Sequence, residues 1–308
     1  MILSIIIVNY NGKSYLSDCL QSIAAKVSTE HEVIIVDNAS SDDSVKYIKD
    51  NFPYAKLIIN DKNAGFSAGN NLGVSRASGK YVLLLNNDTV ILDDVQLAID
   101  LFEFNKGIGV IGCNLLYGDR RLQFSYGYEH TPLRIALSWI GLKKYVFLPS
   151  VFRREEMRTS CYGKAQSNVG WVSGAFLMTR KILWDSLGGM DDNYFMYVED
   201  VDFCKRIRKN GYRIFYTPDV KVIHYEGGGK AWIGRNALRN TFQSYMLYVK
   251  KHHNKYSEDF VRSVLFMVMM LRSVIYRISF VVTKKNIYED KYITFFEIGT
   301  LLLKGKIL

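Results

Sequence analysis

The stretch YVLLLNNDTVI, residues 81–91, decides how the rest of the chain is read. Tyr81 to Leu85 is apolar at every position, the mark of a strand buried on both faces of a helix-covered parallel sheet. The run stops at the polar cluster Asn86-Asn87-Asp88. Upstream the same unit recurs: a β-branched run from Ser4 to Val8 breaks at Asn9 to Asn11, and Glu32 to Val36 stops at Asp37. Lys56 to Ile59 is a further short strand. Leu16, Leu20 and Ile23 give helical spacing from Tyr15 to Val27, and Val45 and Ile48 mark a second helix that Ser40 and Ser41 are placed to cap. The polar segment Asn63 to Gly73, with glycines at Gly65, Gly69 and Gly73, leads into a helix before Gly79. Strands alternating with helices predict an α/β fold, a mixed, mostly parallel sheet with helices on both faces. Ligands of such sheets bind beyond the carboxyl ends of the strands. Asn and Asp are good turn formers anywhere, but three such clusters on one edge point to a site.

Composition narrows the class. With 48% hydrophobic residues, 23 Gly and 4 Pro, the 308-residue chain is neither disordered nor low-complexity. Cys19, Cys113, Cys161 and Cys204 lie far apart with no CxxC pair, which argues against a disulfide framework or structural zinc and for a reducing compartment. The apolar N-terminus is short and reads as a buried first strand rather than an export signal. No GxGxxG and no GxxxxGK[ST] occurs, so neither a dinucleotide fingerprint nor a phosphate loop of that type is supported.

Further along, Glu199, Asp200 and Asp202 precede a basic face, as expected of a helix with acids at its positive end. Asp202 and Arg206 have the spacing of an i,i+4 pair. Tyr212 to Tyr216 and Val220 to His224 read as two strands. The charge is uneven. From residue 230 onward 14 Lys and Arg face 5 Asp and Glu, so nearly all of the net +10 lies there. Within it, residues 260–282 are aliphatic and interrupted by Arg262, Arg272 and Arg277, which share an arc of about 140° on a helix. The longest charge-free run, Ser263 to Leu271, is far short of the ~20 residues that span a bilayer. The segment is expected to lie in a membrane interface, Lys284, Lys285 and Lys291 adding attraction to anionic lipid. Its rivals are a helix packed on the body with snorkelling arginines, or a dimerising helix that makes a homodimer. It is too aliphatic for a nucleic-acid groove.

Six blocks carry a resemblance: LSIIIVNYNG (3–12), EVIIVDNASSDDS (32–44), NAGFSAGNNLGV (63–74), YVLLLNNDTVI (81–91), GWVSGAF (170–176) and YVEDVDFCKRIRKNGYRI (197–214). Together they resemble the family 2 inverting glycosyltransferases of GT-A fold, in the rhamnosyltransferase-like branch. The resemblance implies a GT-A domain over 1–228, with a nucleotide-binding half at 1–95 and an acceptor-binding half at 96–228, before a helical membrane-associating region at 229–308. It implies that Asp37 accepts a pyrimidine N–H, that Tyr10 and Asn11 line the base pocket, and that Asn63, Gly65 and Asn70 approach ribose and diphosphate. Asn86-Asn87-Asp88 stands where the family has its D-x-D motif. With Asn86 for the first acid, only Asp88 supplies charge to a divalent metal, Mn²⁺ or Mg²⁺, and His224 adds a ligand that favours Mn²⁺. Asp200 is the implied base, and Glu199 orients acceptor hydroxyls or is itself the base. Trp171, Gly174 and Asp191 look like acceptor-pocket walls.

The expected function is metal-dependent, inverting transfer of a sugar to a saccharide hydroxyl. The donor is dTDP-rhamnose or a UDP-sugar, and the acceptor a lipid-linked saccharide or oligosaccharide of bacterial surface polysaccharide synthesis. The enzyme is expected in the cytoplasm, peripheral on the inner face of the cell membrane through residues 260–308. The alternative, kept open by Asn86, is a non-catalytic nucleotide-sugar-binding subunit of a membrane glycan-assembly complex.

Overall fold

A computed structural model describes residues 1–140, 159–225 and 234–305. The chain opens with β1 (Leu3–Asn9), α1 (Lys13–Lys26), β2 (His31–Asp37), α2 (Ser44–Asn51), β3 (Lys56–Ile59), α3 (Gly65–Ser75), β4 (Tyr81–Leu85) and β5 (Thr89–Ile91). There follow α4 (Gln96–Phe104), β6 (Ile108–Leu116), β7 (Tyr126–Gly127), α5 (Pro132–Ile140), β8 (Gln166–Ser167), β9 (Trp171–Val172) and β10 (Phe176–Arg180). The last elements are α6 (Lys181–Ser186), α7 (Glu199–Lys209), β11 (Arg213–His224), α8 (Gly234–His252), α9 (Lys255–Thr283) and α10 (Asn286–Leu303). They form two compact units, Met1–Glu129 with Glu156–Lys230, and His130–Glu155 with Ala231–Leu308.

The first unit is built on one mixed sheet in the order β3-β2-β1-β4-β10-β6-β11-β5, with β8 beside β11. β1, β2, β3, β4, β6 and β11 run one way, and β10 and β5 run against them. This is the expected mixed, mostly parallel α/β sheet. Alternation along the strands explains its two layers. Ile5, Ile7, Ile35, Leu83 and Leu85 face one core with residues of α1, α2 and α4. Ile6, Ile34, Val82 and Leu84 face the other with residues of α3, α6 and α7.

Three expectations need correction, as does the rival reading of a set of snorkelling arginines. Ser40 and Ser41 do not cap α2, which starts at Ser44 after a left-handed Asp43; Asp42 Oδ1 accepts from Ser44 N at 3.2 Å instead. The Gly-rich segment does not merely lead into a helix, because Gly65 to Ser75 is that helix. The two strands read over 212–224 are one strand, β11, with an irregularity between Tyr216 and Lys221. The arginines of α9 do not act as one snorkelling set. Arg272 donates to Trp139 O at 2.9 Å and lies over the Trp139 and Phe295 rings, Arg262 pairs with Glu258, and Arg277 is exposed.

The second unit is helical. Asn254 caps α9 by accepting from Ser257 N at 2.9 Å, and Ser273 Oγ ties α9 to Tyr292 O of α10 at 2.9 Å. Val261, Leu265, Met269 and Ser273 are buried at four-residue spacing, while Met267, Leu271, Val274, Ile278, Val281 and Val282 remain exposed. By length and composition alone α9 is long and apolar enough to cross a membrane, with a mean hydropathy of 1.8 over its most apolar stretch.

At the sheet edge opposite the polar turns, buried Glu32 clamps three segments. It accepts from Ser4 Oγ at 2.7 Å, from Ser78 N and Oγ at 2.7 Å each, and from Lys56 Nζ at 2.5 Å. Burial pushes this carboxyl up, but the donors outweigh it and hold it at about 2. A folded value below the unfolded 4.5 gives stability that is present above pH 4.5 and lost as pH falls toward 2. Glu32→Gln is therefore expected to cost about 2 kcal/mol at pH 7 in chemical denaturation, with the penalty shrinking on acidification. An equal penalty at both ends of that range would contradict the clamp.

Candidate active site

The polar edge is held together by Asn9, the last residue of β1, which is 0% exposed. Its Nδ2 donates to Asp37 Oδ2 at 2.7 Å and to Ser40 Oγ at 3.1 Å, and its Oδ1 accepts from Asn87 Nδ2 at 2.7 Å. One buried amide thus joins the turns after β1, β2 and β4, with every side-chain hydrogen-bonding group paired. Gly12 is required beside it, since a Cβ there would lie 2.0 Å from Asn87 Nδ2 and 2.6 Å from Asn9 Oδ1. Asn38 extends the network, donating to Gly65 O at 3.0 Å and accepting from Asn60 Nδ2 at 2.8 Å. Ser40 and Ser41 serve this edge rather than a helix: Ser40 Oγ accepts from Asn11 N at 2.9 Å, and Asn11 Oδ1 accepts from Ser41 N at 2.7 Å.

Antiparallel pairing of β5 with β11 sets Thr89 opposite His224 and so brings together residues 136 apart, Asp88 and His224. His224 Nε2 lies 3.3 Å from Asp88 Oδ1 and accepts from Asn86 Nδ2 at 3.1 Å. Buried Gln123 faces the other ring nitrogen, its Oε1 3.0 Å from Nδ1. An amide oxygen only accepts, so Nδ1 donates to Gln123, and Nε2, accepting from Asn86, stands beside the Asp88 carboxylate. Asn86 Oδ1 is buried with no hydrogen-bond partner in the same place. One carboxylate, one imidazole nitrogen and one amide oxygen suit a borderline-hard divalent ion such as Mn²⁺. Among the described residues no cluster of three or more His, Cys, Asp or Glu is present, so the chain offers part of a coordination shell. The residues fit the metal the sequence implies on condition that a ligand supplies the rest.

A pair of adjacent carboxyls, Glu199 and Asp200, opens α7. Asp200 Oδ2 accepts from Gly174 N at 2.8 Å and Asp200 Oδ1 from Val201 N at 2.7 Å, while Asn86 N donates to Ala175 O at 3.1 Å. The dipeptide Gly174-Ala175 therefore bridges Asp200 to the Asn86-Asn87-Asp88 turn. Glu199 is 6% exposed and its Oε2 has no hydrogen-bond partner. Burial, with the charge of Asp200 adding to it, pushes the Glu199 carboxyl well above the usual carboxylate range. Two adjacent carboxyls in unlike environments divide naturally into a proton holder and a charged acceptor. Just before them Tyr197 and Val198 both have positive φ, 73° and 66°. A β-branched residue there is strained, a condition that persists where surrounding structure enforces it, often at functional sites.

The remaining candidates are placed as follows. Asp37 is 0% exposed, and both its oxygens already accept, Oδ1 from Ser40 N at 2.8 Å. Tyr10 stands out at 52% exposure. Asn63 Oδ1 accepts from Gly65 N at 3.0 Å, closing the turn into α3, and Gly65 has φ +87° with Phe195 O against its α-carbon. Asn70 is buried and donates to Phe66 O at 2.9 Å. Asp191 accepts from Asn193 N and Nδ2, and half-buried Trp171 begins β9. Asp202 pairs with Arg206 at 2.7 Å, whereas Arg208 goes to Glu129 at 3.0 Å. Sequence reasoning missed Asn9 as a hub, Gln123 behind His224, and the exposed run Phe195-Met196-Tyr197 ahead of Glu199. Only the last had a signal, since an unbroken run of large side chains from Tyr194 to Val198, set between Asn193 and Glu199, is unusual in a loop.

The glycosyl transferase family 2 model matches residues 4–184, more than half of the chain. The chain belongs to glycosyl transferase family 2. This glycosyltransferase is 27% identical over 231 residues to rhamnosyltransferase WbbL of Escherichia coli, covering 72% of this chain and 82% of that one. It is 23% identical over 239 residues to N-acetylglucosaminyl-diphospho-decaprenol L-rhamnosyltransferase of Mycobacterium tuberculosis, covering 73% and 76%. These relatives place it in the rhamnosyltransferase-like branch. The chain spans only 27% of the length of another relative, an uncharacterised Sinorhizobium fredii protein 25% identical to it. Among solved structures, GalNAc-T7 with UDP, GalNAc and Mn²⁺ matches with TM-score 0.61 at 16% identity, over 85% of this chain and 50% of that one. That likeness shows the fold.

The raised Glu199 carboxyl has a thermodynamic consequence. The folded state binds its proton more tightly than the unfolded chain, so its contribution is full below pH 4.5 and is lost as pH rises through the folded value. Glu199→Gln, which mimics the protonated form, is expected to raise the melting temperature at pH 8 and to change it little at pH 4. A variant that melts lower at pH 8 would show that Glu199 is ionised in the folded protein.

Proposed function

We propose that this glycosyltransferase moves rhamnose from dTDP-L-rhamnose, or else a hexose from a UDP-sugar, onto a hydroxyl of a lipid-linked saccharide with inversion. The observation that carries the reading is the joining of Asp88, His224 and Asp200 at one sheet edge through Asn86 and the Gly174-Ala175 dipeptide. The names of the two rhamnosyltransferase relatives support the sugar, and the decaprenol in one of them supports a lipid-linked acceptor.

In this reading Tyr10 and Asn11 line the base pocket. Each oxygen of Asp37 keeps a second lone pair, which accepts a pyrimidine N–H once the Ser40 segment gives way. Asn63, Gly65 and Asn70 flank ribose and diphosphate at the start of α3. Asp88 and His224 hold a divalent cation, Mn²⁺ in preference to Mg²⁺, with Asn86 Oδ1 and Gln123 supporting them. When bound, that cation neutralises charge on the departing diphosphate. Asp200 takes the acceptor hydroxyl's proton as the oxygen attacks from the side opposite the leaving group. Protonated Glu199 donates to an acceptor oxygen, and Trp171, Gly174 and Asp191 bound the acceptor. The exposed apolar residues of α9, with the basic residues of 260–308, dock the enzyme on an anionic membrane, peripheral on its cytoplasmic face.

The experiment compares two variants. Asp200→Asn is expected to cut turnover by at least 100-fold while leaving nucleotide affinity within about twofold. Asp88→Ala is expected to abolish both turnover and the Mn²⁺ dependence of nucleotide binding in a protein that stays folded. Equal loss of nucleotide affinity in Asp200→Asn would move the base elsewhere, and undiminished activity of Asp88→Ala would remove the cation from this edge.

A further inference from the structure

The second unit contains a cavity of about 450 Å³ bordered by α8 and α10 and lined by none of the candidate active-site residues. Arg235 and Arg239, in the first two turns of α8, share it with Glu297, Phe296, Leu301 and Lys304 of α10. The charges do not cancel. Arg235 claims Glu297 at 3.2 Å and also reaches Asp290 at 3.5 Å. Arg239 and Lys304 are exposed and have no carboxylate partner among the described residues. Two uncompensated cations at one cavity repel each other, and an anion between them relieves that cost. The positive end of the α8 dipole acts in the same direction. Beside the cations, Phe296 is 51% exposed and Leu301 half-buried, so the cavity also offers apolar contact. Cations and a bare aromatic wall together suit a phosphate that carries hydrocarbon better than a free one.

We propose that this cavity binds the phosphate diester headgroup of an anionic phospholipid. The proposal deepens the membrane-docking reading above and rests on it. Arg239 and Lys304 take the phosphate oxygens, Arg235 stays with Glu297, and Phe296 lies along the start of the acyl chains. The exposed stripe of α9 in the same unit supplies the apolar surface that general docking needs. The cavity adds selectivity for the headgroup.

The test uses the full chain and a short-chain phosphatidylglycerol below its micelle concentration, followed by calorimetry. Saturable binding is expected in the wild type. At least tenfold weaker binding is expected in the double variant Arg239→Ala, Lys304→Ala. Thr300→Trp, which fills the cavity without changing charge, is expected to weaken it as much, and a circular dichroism spectrum matching the wild type shows that each variant is folded. Undiminished binding in Thr300→Trp would overturn the site. Equally tight binding of inorganic phosphate or glycerol phosphate would also overturn it, because the ligand would then be a free phosphate. Sedimentation with vesicles of phosphatidylcholine plus phosphatidylglycerol separates the two readings. If the wild type sediments but shows no saturable short-chain binding, docking stands and the headgroup site fails. If it binds neither form, both fail.

Discussion

The buried side chain of Asn9 is the constraint on which the candidate site depends. An amide shut away from water must find partners for two donors and an acceptor or lose free energy for each one left unmet. Asn9 meets all three needs by holding Asp37 and Ser40 of the turn after β2 and Asn87 of the turn after β4. The parallel register of β1 with β2 and β4 sets where those turns begin, and Asn9 sets how they close over one another. Gly12 leaves room for the Asn87 contact, and Asn38 carries the network on to the start of α3. The arrangement is built from strand ends, which a packed sheet holds more rigidly than loops alone.

From that frame the acidic groups acquire different characters. Asp88 faces a histidine whose Nδ1 meets Gln123, Asp200 is pinned by two backbone N–H groups, and burial pushes the Glu199 carboxyl beside it well above the usual carboxylate range. A transfer to a hydroxyl requires charge neutralisation on one side and proton acceptance on the other. Under the proposed roles, Asp88 beside a cation and Asp200 as proton acceptor meet both requirements. The strained backbone at Tyr197 and Val198 leads into the Glu199–Asp200 pair, with Tyr194 and Phe203 buried on either side of it along the chain.

Much of this was legible in the amino-acid sequence because it depends on local pattern. Tyr81 to Leu85 and Lys56 to Ile59 form strands over those very residues, since apolar and β-branched runs bounded by polar turns have few other uses. The acids at the start of α7 and the Asp202–Arg206 pair follow from helix geometry. What the sequence hid depends on partners distant along the chain. Nothing near Gln123 announces that it will meet His224, 101 residues away. Ser40 and Ser41 look like helix caps until Asn9 and Asn11 are seen to need them. Arg272 looks like a snorkelling residue until α5 and α10 bring Trp139 and Phe295 to it. Local signals fix elements, and long-range pairing decides what their polar residues do.

The most direct measurement is the thermal shift of the purified full chain with UDP, dTDP, GDP and CDP, each with and without Mn²⁺. A ligand that binds only the folded state raises the melting temperature. The account predicts stabilisation by UDP and dTDP that depends on Mn²⁺, with GDP and CDP leaving the transition where it was. Equal shifts with all four nucleotides, or shifts indifferent to Mn²⁺, would contradict the proposed pyrimidine and cation roles of this edge.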